Sequence, residues 1–238
     1  MNSIRDLIIG RFLAAPEPGR RSSPGTTPET TLDVRPGKPR NGRGDHDLNP
    51  DLKPRQPLHA AAVLVPLMER DEGTTVLLTQ RAAHLSDHAG QISFPGGRID
   101  PSDRDAEEAA LREAEEEIGL PRDHVQLIGR LDTYVTRTGY EVIPCVGLVR
   151  PPLELHPDPR EVAAVFEVPL AFFRVPGNRR QESRVFEGRE RFFYAYPWEN
   201  YYIWGATAGM LWNLAEVLGP GDEGKSAQEL GAEGQSAD

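Results

Sequence analysis

Residues 97–120 read GRIDPSDRDAEEAALREAEEEIGL, and the octet REAEEEIG from Arg112 to Gly119 decides how the rest of the chain is read. At about 100° per residue, Glu113, Glu116 and Glu117 fall within an arc of roughly 100° on one side of a helix. Three carboxylates there repel one another unless a cation intervenes, and hard oxygen donors of this kind suit Mg²⁺ or Mn²⁺. Leu111, Ala114 and Ile118 project on the opposite side, so the helix can rest on a sheet and turn its acidic side to a cleft. Ala109 and Ala110, one turn earlier, leave room beside the carboxylates. Glu115 points away from the cluster, whereas Arg112 borders it and can hold a glutamate ready for a metal. Gly96 and Gly97 are expected to form a turn ahead of the helix, and Gly119 suits a left-handed residue just past its end. A solvated glutamate-rich helix is the competing reading, but such a helix does not require these glycines and this arginine together.

Outward from this helix, expected over Ala106 to Glu117, the pattern alternates between strands and loops. Buried strands are expected at Ala61–Leu67 and Thr74–Thr79, followed by a loop from Ala82 to Gln91. Further strands are expected at Val125–Tyr134, Val142–Val149, Val162–Val168, Ser183–Phe186, Arg191–Tyr196 and Tyr201–Trp204. A short helix falls near Leu170–Phe173 and a final one over Ala206–Val217. Strands outnumber helices and the two intersperse, which implies a mixed sheet with helices on both faces. Residues 58–218 are therefore read as one folded domain. Residues 1–15 hold a short amphipathic helix, with Ile4, Leu7, Ile8 and Phe12 at helical spacing, Ser3 as N-cap and Pro16 as stop. Nine of the 22 prolines fall in residues 16–57 and no apolar period survives there, so this stretch is read as a flexible linker whose last part, DHDLNPDLKPRQP, can lie against the domain. The Gly- and Glu-rich residues 219–238 are expected to be a disordered tail.

A formal net charge of −10 argues against sequence-independent nucleic-acid binding, which needs clustered Lys and Arg. A small anionic substrate stays compatible, because a bound metal reverses the local field. The single cysteine, Cys145, excludes an internal disulfide and a Cys-based metal centre and fits a buried small hydrophobe. No run approaches the ~18 apolar residues of a membrane span, and the N-terminus makes a poor signal peptide. A cytoplasmic protein with no nucleic-acid or membrane partner is the expectation.

At these residues the chain resembles the Nudix hydrolase superfamily. Gly97 opens the signature, and Arg112, Glu113, Ala114, Glu116, Glu117, Gly119 and Leu120 close it. The middle departs from the pattern: Asp103 stands where a glutamate is usual, and eight residues rather than seven separate it from Arg112. Upstream, Leu77-Leu78-Thr79-Gln80-Arg81-Ala82, then Gly90, then Phe94-Pro95-Gly96-Gly97 resembles the additional motif of coenzyme A pyrophosphatases, with Ser86 where that motif has arginine. The resemblance implies a Nudix fold, an α/β fold built as an α/β/α sandwich around a mixed β-sheet. It also implies metal-dependent hydrolysis of the diphosphate of coenzyme A or its derivatives, giving 4′-phosphopantetheine (or its acyl form) and adenosine 3′,5′-bisphosphate. Hydrolysis of another nucleoside diphosphate derivative such as NADH or ADP-ribose, or a non-catalytic ligand sensor on the same fold, are the alternatives. Retention of all three box glutamates disfavours the sensor.

On this reading Glu113, Glu116 and Glu117 hold Mg²⁺ or Mn²⁺, and the resemblance adds the Gly97 carbonyl as a further ligand. Glu113 and Glu116 take part in catalysis, and Glu161 is the candidate carboxylate from outside the box, as general base or additional ligand. A surface role for Glu161 stays open, as does Glu141 in its place. Arg81, Gly90, Phe94 and Gly96 are the substrate-binding candidates, Arg81 through phosphate and the others through turn geometry or packing. His88 can contact phosphate or order its loop. Arg179, Arg180 and Arg184 can meet the 3′-phosphate or form a solvated basic patch, and the aromatics of 192–204 fit core packing better than substrate contact. The substrate partner is a small molecule, and a homodimer is the assembly to test.

Overall fold

The computed structural model describes residues 4–13, 43–85 and 87–220. In chain order its elements are α1 (Ile4–Leu13), β1 (Arg43–Gly44), β2 (His59–Arg70), β3 (Gly73–Arg81), β4 (Ile92–Ser93), β5 (Gly96–Arg98), α2 (Ala106–Ile118), β6 (Val125–Arg130), β7 (Tyr134–Val135), β8 (Tyr140–Val149), β9 (Val162–Pro169), α3 (Leu170–Arg174), β10 (Arg180–Phe186), β11 (Arg189–Trp198), β12 (Tyr201–Trp204) and α4 (Ala206–Leu218). The main sheet runs β1-β7-β8-β2-β3-β4, with β5 on β2, β6 on β8 and β9 on β3. The β2–β8 and β1–β7 pairs are parallel and the other pairs antiparallel, so the sheet is mixed. Strands β10-β11-β12 form a second, antiparallel sheet.

Both faces of the central strands are buried, so alternation divides apolar from apolar. On β2, Ala62, Leu64 and Met68 face α2, whereas Ala61, Val65 and Leu67 face the opposite layer. That second layer is formed by α1, α3, α4 and part of the smaller sheet, with Phe172, Tyr196, Trp198 and Leu211 at its centre. Helices thus cover both sides of a mixed sheet, the α/β/α sandwich the resemblance implied. The N-terminal helix takes its place in this layer through fully buried Ile8, with Arg5 hydrogen-bonded to Gln126 (3.0 Å) and ion-paired with Glu69 (2.8 Å). Ser3, its expected cap, lies outside the described residues.

Two expectations need correction. Gly96 and Gly97 are not a turn: they form strand β5, with Gly97 opposite Ala62 and Gly96 opposite Val63. Glycine pairs are turn formers in sequence terms, but here the missing Cβ allows close packing against β2 and α2. The long strand expected at Val125–Tyr134 is two strands, β6 and β7. The ladder shifts register between Leu127 and Gly129, and the Asn213 side chain captures the Asp132 N–H at 2.9 Å, drawing the chain away from β8.

The last part of the 16–57 segment, which the sequence left free to lie against the domain, does so. Residues 43–57 dock on the domain: β1 pairs with β7, Leu52 is buried, and Asp51 meets Arg189 and Arg191. Side-chain clamps fix this proline-rich segment where no apolar period could. Asn49 bonds both the N–H and the C=O of Phe192, and Asp45 accepts from the Tyr134 hydroxyl and the Arg137 N–H. Residues 14–42 and 221–238, the remainder of the expected linker and most of the expected tail, lie outside the described residues. Among the described residues no helix is long and apolar enough to cross a membrane.

Candidate active site

Helix α2 has a defined start and end. The Asp105 carboxylate caps the N-terminus by accepting from the Glu108 N–H at 2.8 Å. At the other end Gly119 is left-handed (φ 66°, ψ 26°); its N–H reaches Glu115 O, the bond of an αL closure, and the Leu120 N–H reaches Ala114 O. A Cβ at Gly119 would stand 3.0 Å from the His156 backbone. That space lets His156 and Asp158 donate their N–H groups to the carbonyls of Ile118 and Glu117, both at 2.9 Å. The 156–161 segment is thereby tied to the end of α2, and the Ala82 N–H to Glu161 carbonyl bond (2.8 Å) ties it to the end of β3. Three stretches distant in sequence, the 81–82, 96–117 and 158–161 regions, thus meet at one edge of the sheet.

Glu113 lies directly on β5. A Cβ at Gly97 would come within 2.6 Å of its carboxylate, so glycine is the residue that admits this side chain. Glu117 is 5% exposed and accepts the Gly96 N–H at 3.3 Å. Burial, with a further contribution from Glu113, pushes its carboxyl up to about 8. Burial also raises Glu113, against the opposing pull of Arg112. Glu116 is the outer member, with its side chain 62% exposed. The fields of Glu161 reach both Glu113 and Glu117, and that of Arg81 reaches Glu117.

Arg112 organises this cluster. Its Nη1 donates to Glu113 (2.8 Å) and Glu116 (3.1 Å), and its Nη2 to the Arg98 carbonyl (3.2 Å). Nε and Nη2 grip the two oxygens of Asp103, each at 2.9 Å. The Asp103 side chain is 3% exposed, and the guanidinium holds its carboxyl down at about 2. The aspartate that departs from the family pattern therefore anchors the arginine, and the longer loop supplies the reach that its shorter side chain lacks. The sequence hinted at the glutamate contacts of Arg112 but not at this bidentate pair.

The donor set fits a hard divalent cation: carboxylate oxygens, two of them on half-buried or buried side chains whose charge is costly without a counterion. Among the described residues, however, no three acidic, imidazole or thiol groups converge as a preassembled metal centre. Arg112 explains the spacing, since it draws Glu113 and Glu116 towards itself while Glu117 turns to Gly96. The Gly97 carbonyl sits opposite Ala62, in the same phase of the ladder as the flanking Leu64–Pro95 and Ala60–Ile99 bonds, so part of its capacity is used by β2.

The substrate-binding candidates separate. The Arg81 Nε is buried with no hydrogen-bond partner among the described residues. Gly90 is left-handed (φ 69°) and closes the loop through its N–H to the Arg81 carbonyl, while His88 (φ 57°) bonds Gln91 at 2.9 Å and orders the same loop. Gly96 serves the site through its N–H to Glu117. Phe94, read as packing or binding beside the site, is 2% exposed and packs in the core opposite α2, because its position on the chain between β4 and β5 turns the ring inward. Ser86 lies outside the described residues. Glu141 is exposed on β8, opposite Val135 and Ala60.

Comparison with known proteins is consistent in direction. The NUDIX domain model matches residues 58–187. The uncharacterized Nudix hydrolase NudL of Escherichia fergusonii is 43% identical over 159 residues, covering 67% of this chain and 82% of the relative. NudL of Shigella flexneri is 41% identical over 174 residues, covering 72% and 90%. Among solved structures, the Nudix hydrolase RenU of M. smegmatis is 28% identical with a TM-score of 0.41, covering 47% of this chain and 71% of that one.

Proposed function

The chain belongs to the NUDIX domain family, and from that footing we propose that it hydrolyses the diphosphate of coenzyme A or a coenzyme A derivative. It is a Nudix hydrolase, a pyrophosphohydrolase. The substrate assignment is supported by the run Leu77–Ala82, Gly90 and Phe94–Gly97, whose Arg81 lies close enough to Glu117 for their fields to interact. The observation that carries it is the Arg81 Nε, a buried donor without an acceptor among the described residues. Such a group costs about 1–3 kcal/mol unless something pairs with it. A phosphate oxygen is the natural acceptor for a guanidinium.

In this reading Glu113, Glu116 and Glu117, with the Gly97 carbonyl, hold the metal. When bound, Mg²⁺ or Mn²⁺ supplies neutralisation of the diphosphate charge and acidifies water. Arg81 grips the diphosphate oxygens and orients the bond to be cut. Arg112, braced by Asp103, fixes the rotamers of Glu113 and Glu116, and the Gly96 N–H fixes that of Glu117. Glu161 takes the proton of the attacking water. The P–O bond of the anhydride breaks, the water oxygen stays on one phosphorus, and the other phosphate leaves, giving 4′-phosphopantetheine and adenosine 3′,5′-bisphosphate.

The test is a product analysis by mass. Purified protein with Mg²⁺ or Mn²⁺ is given CoA, acyl-CoA, oxidised CoA, NADH and ADP-ribose. The expected outcome is the highest kcat/KM on a CoA form, with a raised KM for Arg81→Ala. Preference for NADH or ADP-ribose would overturn the substrate, and no cleavage of any of them would overturn the whole reading.

A further inference from the structure

Strand β10 is an open edge. It pairs with β11 on one side only, and the sheet ends there. The hairpin turn has two residues, Glu187 (φ 52°) and Gly188 (φ 74°), both left-handed as a type I′ turn requires. This makes Phe186–Arg189 a hydrogen-bonded pair, and the alternation continues through Arg184–Arg191 and Glu182–Phe193. The residues between them, Gln181, Ser183 and Val185, turn their N–H and C=O groups outward. Phe192 supports this phase: it lies opposite Ser183 and gives both its main-chain groups to Asn49, away from β10. Among the described residues nothing bonds the outward groups of β10. The strand has no proline, lysine or bulge and Val185 is 77% exposed, so its only edge defence is the charge of Arg180, Glu182 and Arg184.

We propose that β10 pairs antiparallel with β10 of a second copy of this chain about a twofold axis at Ser183, joining the two small sheets into one. The phase of the free groups requires odd-numbered residues to face odd-numbered ones. Centring the axis on Glu182 would set Glu182 against Glu182 and Arg180 against Arg184, and centring it on Arg184 would set that arginine against itself. Centring on Ser183 sets Glu182 against Arg184 of the second copy, twice, and Gln181 against Val185. Centring on Gln181 would also set Arg180 against Glu182, but it overlaps only residues 180–182 of the strand; the Ser183 register matches opposite charges while pairing the whole of 180–186, in the non-hydrogen-bonded positions where side chains come closest.

The two charges are already held in place. Glu182 accepts from the Tyr202 hydroxyl at 2.5 Å, and the Arg184 guanidinium lies over the rings of Trp204, Phe193 and Tyr202, at 5.4, 5.8 and 6.0 Å. Its cross-strand neighbour Arg191 has an acid, Asp51, at 2.9 Å, whereas no described carboxylate pairs with Arg184. A second copy supplies that partner without reordering either side chain. This interface is independent of the substrate assignment above.

Sedimentation velocity of the full chain over a dilution series tests it. The wild type is expected to dimerise. Ser183→Pro removes an outward N–H that the fold does not use, so this variant should melt as the wild type does and sediment as a monomer. Glu182→Arg and Arg184→Glu each place like charges in contact and should weaken self-association by at least about tenfold. Mixed together, these two variants have opposite charges at both contacts and should form a heterodimer. A wild type that stays monomeric at every concentration, a dimer that survives Ser183→Pro, or a mixture that associates no better than its components would overturn the proposal.

Discussion

The two faces of the central sheet are built from different material. On the α2 side the contact layer is thin: Ala62, Ala106, Ala109, Ala110 and Ala114 bring the helix down onto β2 and β5. Opposite it lies a thick aromatic layer, with Phe172 and Trp198 rings 4.7 Å apart and Phe173 and Tyr196 rings 5.2 Å apart. The thin face carries the buried carboxylates and the Arg112 network, and the thick face carries none of the proposed chemistry. Small side chains permit close backbone approach, which the Glu113–Gly97 and Glu117–Gly96 contacts require. Large ones bury the apolar area that keeps the fold together despite charges set in its other side.

Four substitutions test this division. The largest effect is expected from Glu117→Gln, which should lower kcat by about 10³-fold with Mg²⁺ and CoA. Its thermal midpoint in EDTA at pH 7 should equal or exceed that of the wild type, because a carboxyl raised to about 8 by burial must take up a proton on folding, which costs stability at any pH above its unfolded value. A loss of fold in step with activity would break the comparison. Phe172→Ala should do the opposite, costing about 3–5 kcal/mol in urea unfolding while turnover per folded molecule holds. Gly97→Ala forces the Glu113 carboxylate to shift and should reduce kcat by about 10- to 100-fold with little change in melting temperature. The smallest effect belongs to Asp105→Ala, where loss of the N-cap should cost about 1 kcal/mol and leave kcat unchanged.

Much of this molecule was legible before its structure. The strands at Ala61–Leu67 and Thr74–Thr79 and the helices at Ala106–Glu117 and Ala206–Val217 show period and boundary signals strong enough for local reasoning. What misled were residues with two meanings. Gly96-Gly97 signals a turn wherever local propensity rules, but here it serves close packing between strand and helix. The prolines of 43–57 deny a regular ladder, while Asn49, Asp45 and Asp51 hold the segment by side-chain bonds that no periodicity reveals.

The sequence alone determined that three glutamates share one helix face, that an arginine precedes them, and that glycines bracket the segment; these follow from 100° per residue and from the backbone freedom of glycine. Only the tertiary structure decided how far each carboxylate lies from water, that Asp103 braces Arg112, that Glu161 and Arg81 come to the same edge, and that one edge of β10 has no partner among the described residues. Burial, electrostatic coupling and free hydrogen-bonding groups are properties of distance between segments remote along the chain, and a one-dimensional pattern does not contain those distances.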